Sequence, residues 1–149
     1  LLLESDLVFD DRLVGQLVQM NEANVAIVDR FQSHMDGTVI LANGGAAMSM
    51  VLKSDQGPGF DYRPASKTVN IYRLSRESLA KTILPEMESF LAKGRTNLYY
   101  EAVFASLISS GRMEMAVMNT GSKQWAEIDT LSDLCEAEKM FATTPAAAR

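Results

Sequence analysis

Two aspartates stand where short apolar runs of this chain give out. Asp6 follows Leu1-Leu2-Leu3-Glu4-Ser5, and Asp129 follows Trp125-Ala126-Glu127-Ile128. Carboxylates delivered from the ends of two separate strands are the equipment of a magnesium ion, which keeps several waters and needs only one or two protein carboxylates beside substrate phosphate oxygens. A strand-end aspartate also caps turns, so spacing leaves both roles open. Acid–base hydrolysis by the pair has weaker support, because nothing in the spacing sets their separation. Tyr99-Tyr100-Glu101 opens a helical stretch, and Glu127 precedes Asp129 by two residues. Aromatic faces with carboxylates suit an ammonium group, through cation–π attraction and charge pairing. The plainer alternative is a half-buried tyrosine with glutamates favoured by the positive end of a helix.

Other reactive residue types offer less. The single cysteine, Cys135, cannot close an internal disulfide, and within a helical stretch at 131–141 it reads as a buried small apolar residue. The lone His34 has no Cys or His neighbours with which to share a metal. Asn43-Gly44-Gly45 has the glycines of a phosphate cradle, but no helical pattern follows at once, so it reads as a hairpin turn.

The elements that must position these residues alternate between strand and helix. Residues 1–3 read as a fully buried central strand reaching its carboxyl edge. Asp10 or Asp11 caps a helix carrying Leu13, Leu17 and Met20. Strands are expected at 24–29, at 38–42 and 47–52 around the glycine turn, at 67–74, at 113–118 and at 125–128. The glycine- and proline-bearing stretch 54–66 reads as a loop. A helix runs from Ser75 towards Lys93-Gly94, kinked or divided by Pro85. Another covers 98–110, and a last helix is capped by Thr130 or Ser132. This is an α/β domain with a mixed sheet, in which ligands sit beyond the carboxyl ends of strands. Asp6 and Asp129 lie at such ends.

Composition narrows the job. With 149 residues, 47% of them apolar and 22% charged, the chain can bury one sizeable core. A net charge of −5 argues against nucleic-acid binding, while leaving room for a small phosphorylated ligand beside a cation. No apolar run is long enough to span a bilayer, and with one cysteine and no secretory leader the expected compartment is the cytoplasm. The start inside a strand and the Thr-Thr-Pro-Ala-Ala-Ala-Arg end at 143–149, read as a linker or tail, suggest a piece cut from a longer protein.

Several strings occur in order: Glu4-Ser5-Asp6-Leu7-Val8-Phe9, Asp36-Gly37-Thr38-Val39, Lys67-Thr68-Val69-Asn70-Ile71-Tyr72, Tyr99-Tyr100-Glu101 and Trp125-Ala126-Glu127-Ile128-Asp129-Thr130, then Asp133-Leu134 and Ala137-Glu138. Together they resemble the C-terminal part of nucleotidyltransferases, especially the phosphocholine cytidylyltransferases and the 2-aminoethylphosphonate cytidylyltransferases of phosphonate biosynthesis. The resemblance implies a Rossmann-like nucleotidyltransferase fold, with 1–142 its C-terminal portion and the N-terminal nucleotide-binding part missing. It implies a reaction in which CTP or another nucleoside triphosphate is joined to a phosphate or phosphonate and pyrophosphate is released, with Mg2+ as cofactor. Asp6 and Asp129 match the two magnesium-binding aspartates. Tyr100, Glu101 and Glu127 match head-group contacts, and Lys67 and Asn70 reach toward the phosphorus group.

One departure is large. The glycine-rich loop with its basic residue and Pro-Lys, which grips the triphosphate in such enzymes, is absent from these 149 residues. The chain alone is therefore expected to be inactive within an active parent, to which a mutase or transaminase domain can be fused. Two other readings remain: a sugar-1-phosphate nucleotidyltransferase, and a non-catalytic scaffold of the same fold.

Overall fold

The computed structural model describes residues 1–142; the linker or tail expected over 143–149 lies outside the described residues. In chain order the elements are β1 (Leu2–Leu3), β2 (Leu7–Phe9), α1 (Arg12–Gln19), β3 (Asn24–Arg30), β4 (Val39–Asn43), β5 (Ala46–Val51), a 3-10 turn (Lys53–Asp55) and β6 (Ala65–Leu74). They continue through α2 (Arg76–Ser78), a π-helical turn (Leu79–Ile83), α3 (Leu84–Ala92), α4 (Glu101–Ser109), β7 (Ala116–Asn119), β8 (Trp125–Glu127) and α5 (Leu131–Ala142). No helix among the described residues is long and apolar enough to cross a membrane.

A six-stranded mixed sheet in the order β1-β6-β3-β7-β5-β4 carries the domain, and a two-stranded ribbon of β2 and β8 stands apart from it. Strand β3 is antiparallel to β6 and parallel to β7. Because side chains alternate across a strand, the sheet buries two different sets. Val25, Ile27, Val69 and Ile71 meet Leu13 and Leu17 of α1 on one face. Ala26, Val28, Ile40 and Tyr72 meet Phe90, Val103, Phe104 and Leu107 of α3 and α4 on the other. Fully buried leucines such as Leu13 and Leu17 are worth roughly 2 kcal/mol each.

Strand β6 forks the sheet. Its first residues pair with β4, Val39 opposite Lys67 and Ile40 opposite Ser66. Its last residues pair with β1, Leu2 opposite Tyr72 and Leu3 opposite Ile71. Between them, where β6 bulges against β3, Asn70 adopts φ +60°. Asparagine tolerates this left-handed conformation better than most residues. The bulge turns the Asn70 side chain into the opening between β1 and β4.

The turn Gly44-Gly45, with φ of +58° and +84°, closes the β4–β5 hairpin, because two positive-φ residues match the twist of the flanking strands. Pro85 stands in the first turn of α3, where its missing N–H costs least, and a π-helical turn, Leu79–Ile83, comes before it. Two expectations fail. Residues 1–3 are not a central strand: β1 has two residues and lies at the sheet edge, pairing with β6 alone among the described residues, with Leu3 exposed. Cys135 is exposed rather than buried, because α5 buries Ala137 and a residue two positions away points to the opposite side of a helix.

Candidate functional site

A cleft of about 320 Å³ opens at the fork. Six of the seven residues singled out from the sequence line it: Asp6, Lys67, Asn70, Glu101, Glu127 and Asp129. They come from β6, from the first turn of α4 and from both strands of the β2–β8 ribbon or the residues flanking them. The ribbon explains how residues so far apart in sequence converge. Leu7 is opposite Glu127, and the Ile128 N–H donates to the Asp6 carbonyl at 2.8 Å. Asp6 and the Glu127–Asp129 segment are thereby locked side by side. The turn after Asp129 is braced by Asp133, whose Oδ2 accepts from the backbone N–H groups of Asp129 and Thr130 at 3.1 and 2.7 Å. Thr130 caps α5 in return.

The floor of the cleft is a chain of hydrogen bonds between carboxylates and neutral donors. Thr38 donates to Glu101 Oε2 at 2.6 Å, and the Tyr72 hydroxyl donates to Glu101 Oε1 at 3.1 Å. The Asn70 amide donates to Glu4 Oε2 at 2.8 Å and to Glu127 Oε1 at 2.9 Å. Burial pushes the Glu101 carboxyl above its usual range, and the nearby Glu4 charge adds to this against the opposing bonds from Thr38 and Tyr72. Burial also raises Glu127, with Asp129 and Glu4 adding, while Lys67 pulls the other way.

Lys67 lines the cleft as an enclosed side chain. It is 1% exposed, donates to Glu127 Oε1 at 2.9 Å and to the Thr68 carbonyl at 2.7 Å, and lies 5.8 Å over the Trp125 ring. Trp125 is fixed in turn by a bond from its Nε1 to Asp29, 2.7 Å long. Gly37 makes room for the lysine: its φ is +102°, and a Cβ there would meet Lys67 Cε and Nζ at 3.1 and 3.2 Å.

Tyr100 is the one selected residue that does not line the cleft. Its ring packs edge-on against Tyr72 and Phe104, and its hydroxyl donates to Glu4 Oε1 at 2.9 Å. Tyr99 lines the cleft in its place. Burial raises the Tyr100 hydroxyl far above its ordinary range, with Glu101 adding to the effect, so it stays a donor. Sequence reasoning passed over Glu4, Thr38, Asp36 and Lys53, which also line the cleft. Glu4 had a signal: it stands two residues before Asp6, in the short turn that joins β1 to β2.

The residues fit a hydrated divalent cation. Asp6 Oδ1 is buried with no hydrogen-bond partner, an expensive state for a carboxylate oxygen unless a cation completes it. Magnesium needs only one or two protein carboxylates beside its waters, and among the described residues no three His, Cys, Asp or Glu side chains gather as a metal set.

No family model matches the chain. Over 141 residues it is 28% identical to a CMP-5'-(3-aminopropyl)phosphonate synthase of Streptomyces rubellomurinus, covering 94% of this chain and 22% of that protein. An inositol-1-phosphate CTP transferase from T. maritima superposes with a TM-score of 0.65 at 18% identity, over 97% of this chain and 55% of that one. The CTP:phosphocholine cytidylyltransferase of Streptococcus pneumoniae superposes with a TM-score of 0.59 at 12% identity, over 80% of this chain and 49% of that one. The fold is thus the mixed α/β fold of nucleotidyltransferases, and the chain spans about half the length of these solved structures.

Proposed function

We propose that this chain, built on the nucleotidyltransferase fold, furnishes the acceptor and metal side of an enzyme that transfers a cytidylyl group from CTP to a small amine-bearing phosphonate or phosphate. The observation that carries this reading is the cleft itself. It places a buried, unpartnered Asp6 oxygen and Asp129 beside the hydrogen-bonded carboxylates Glu4, Glu101 and Glu127. The similarity to a protein named for a CMP-aminopropylphosphonate product supports it.

In this reaction an oxyanion of the acceptor's phosphorus group bonds to the α-phosphorus of CTP. The bond from that phosphorus to the oxygen bridging the β-phosphate breaks, and pyrophosphate leaves with the electron pair. Asp6 and Asp129 would hold Mg2+, whose charge, when bound, offsets the negative charge gathered around the α-phosphorus. The carboxylates of Glu4, Glu101 and Glu127 receive the acceptor's ammonium. Lys67 and Asn70 keep Glu127 aimed, and the bulge at Asn70 is the local strain that makes this possible. A cleft lined by six carboxylates and two lysines favours a cationic head group over a neutral sugar.

The test is pyrophosphate release from CTP with 2-aminoethylphosphonate, 3-aminopropylphosphonate or phosphocholine, in a protein carrying this segment with its triphosphate-binding half. Asp6→Ala and Asp129→Ala should each lower turnover by at least ~100-fold. Near-normal turnover in either variant at saturating magnesium removes that residue from the metal site.

A further inference from the structure

The loop between the 3-10 turn and β6 carries Gly57, Pro58, Gly59 and Pro64, residues that favour turns over packing, yet Gln56 at its start reaches inward. Its amide Nε2 donates to the Gly37 carbonyl at 2.8 Å and to the Val51 carbonyl at 3.0 Å, and its Oε1 accepts from the Tyr62 hydroxyl at 3.0 Å. Tyr62 is fixed in turn by stacking on Phe31, with ring centroids 4.1 Å apart, and by an edge contact with Phe60 at 4.9 Å. Gln56 stands outside the cleft, whereas Gly37 lines it. We infer that Gln56 is a positioning residue of the acceptor site: by holding Gly37 it keeps Lys67 enclosed, and through Lys67 it keeps Glu127 aimed at the acceptor's ammonium. This rests on the proposed function and extends it to a residue that no sequence motif singled out.

Segment 36–38 is a wall of the cleft that is firm at one end only. Thr38 is buried, donates to Glu101 at 2.6 Å, and its carbonyl accepts from the Thr68 N–H at 3.2 Å. Asp36 has only the solvated Lys53 as its ion-pair partner, and surface pairs hold a segment weakly. Gly37 stands between the two, and the bond from Gln56 is what fixes its carbonyl. Its place matters because it covers the lysine closely: a Cβ at Gly37 would meet Lys67 Cε and Nζ at 3.1 and 3.2 Å. If the Gly37 backbone drifts outward, water reaches an ammonium that now bonds Glu127 at 2.9 Å. A carboxylate that receives a ligand must be held to within about half an ångström, which is the work of residues behind it. The contacts run without a gap from Tyr62 through Gln56, Gly37 and Lys67 to Glu127.

Gln56→Met and Tyr62→Phe test the assignment in the enzyme that carries both halves, alone and combined with Glu127→Gln. The readouts are kcat, KM for 2-aminoethylphosphonate, KM for CTP, the inhibition constant of ethylphosphonate, which lacks the ammonium, and fluorine NMR of enzyme labelled with fluorotryptophan. Trp125 is the single tryptophan of this chain, and its ring centroid lies 5.8 Å from the Lys67 ammonium. Its line, assigned with Trp125→Phe, therefore reports on the surroundings of Lys67. Loss of the two bonds to backbone carbonyls predicts that Gln56→Met raises KM for 2-aminoethylphosphonate roughly 3- to 30-fold and moves the Trp125 line, with KM for CTP and ethylphosphonate inhibition almost unchanged. Tyr62→Phe keeps the ring stack and should move both readouts the same way by less, so it carries the test if Gln56→Met does not fold. In the Glu127→Gln background either change should lose most of its effect on the acceptor. An unchanged acceptor KM, an unmoved Trp125 line, or a fall in kcat with every affinity intact overturns the inference and leaves the proposed function standing. Equal weakening of ethylphosphonate also overturns it, because the effect then bypasses Glu127. A wild-type enzyme that accepts no amine-bearing phosphorus compound refutes the proposed function, and the inference with it.

Discussion

Replacing Lys67 by Met removes a charge from the best-enclosed ionic contact of the cleft while nearly keeping side-chain length and shape. The ammonium forms two charge-assisted hydrogen bonds, to Glu127 at 2.9 Å and to the Thr68 carbonyl at 2.7 Å, and its side chain is only 2% exposed. Bonds of this kind are worth ~1.5–3 kcal/mol each. Met regains part of that by avoiding the desolvation of a buried cation, but Glu127 is left half-buried with Asn70 as its remaining donor. The net expectation is a loss of about 2–4 kcal/mol at neutral pH, or about 6–12 °C in Tm for a domain of this size. The sign of the pH dependence follows from Glu127. Burial raises its carboxyl and Lys67 opposes that rise, so losing Lys67 raises it further. A carboxyl raised in the folded state favours folding most below its unfolded pKa and loses that contribution as pH climbs through the folded value. The deficit of the variant should therefore be larger at pH 7.5 than at pH 5. Thermal and urea denaturation at the two pH values, followed by circular dichroism, measure it, and Lys67→Met with Glu127→Gln should recover much of the loss. A deficit below ~0.5 kcal/mol, or one equal at both pH values, refutes the claim that this ion pair organises the cleft.

Three further outcomes are expected. Gly37→Ala combines a φ of +102° with a Cβ at 3.1 Å from the Lys67 side chain, and should cost about 1–3 kcal/mol in urea denaturation; a cost near zero would mean that the loop and Lys67 shift freely. Because burial raises both Glu101 and Glu127, KM for an aminophosphonate should climb as pH falls through the acid range and these carboxylates take up protons, whereas Glu127→Gln should weaken the acceptor at neutral pH and flatten part of that dependence without altering KM for CTP.

Local pattern determined a good deal by itself. The turn chemistry of Asn43-Gly44-Gly45 and the spacing of Leu13 and Leu17 report on near neighbours along one chain, and the structure places both as read. Asp6, Glu101, Glu127 and Asp129 were picked by type and by position at element ends, and they share one cleft. What sequence does not carry is which face a side chain turns to when two elements meet. Lys67 stands at the opening of an expected strand, and only the approach of the β2–β8 ribbon puts Glu127 against it. The resemblance selected Tyr100, but packing against Tyr72 and Phe104 turns Tyr100 inward and leaves Tyr99 to line the cleft. Glu4 becomes a site residue only because its N–H bonds to the Asn70 carbonyl at 3.3 Å, in the gap where β4 and β1 part. Residue types and their periodicities are properties of the chain, whereas the burial that shifts a carboxyl and the partner that neutralises a lysine exist only once segments 60 or more residues apart are in contact.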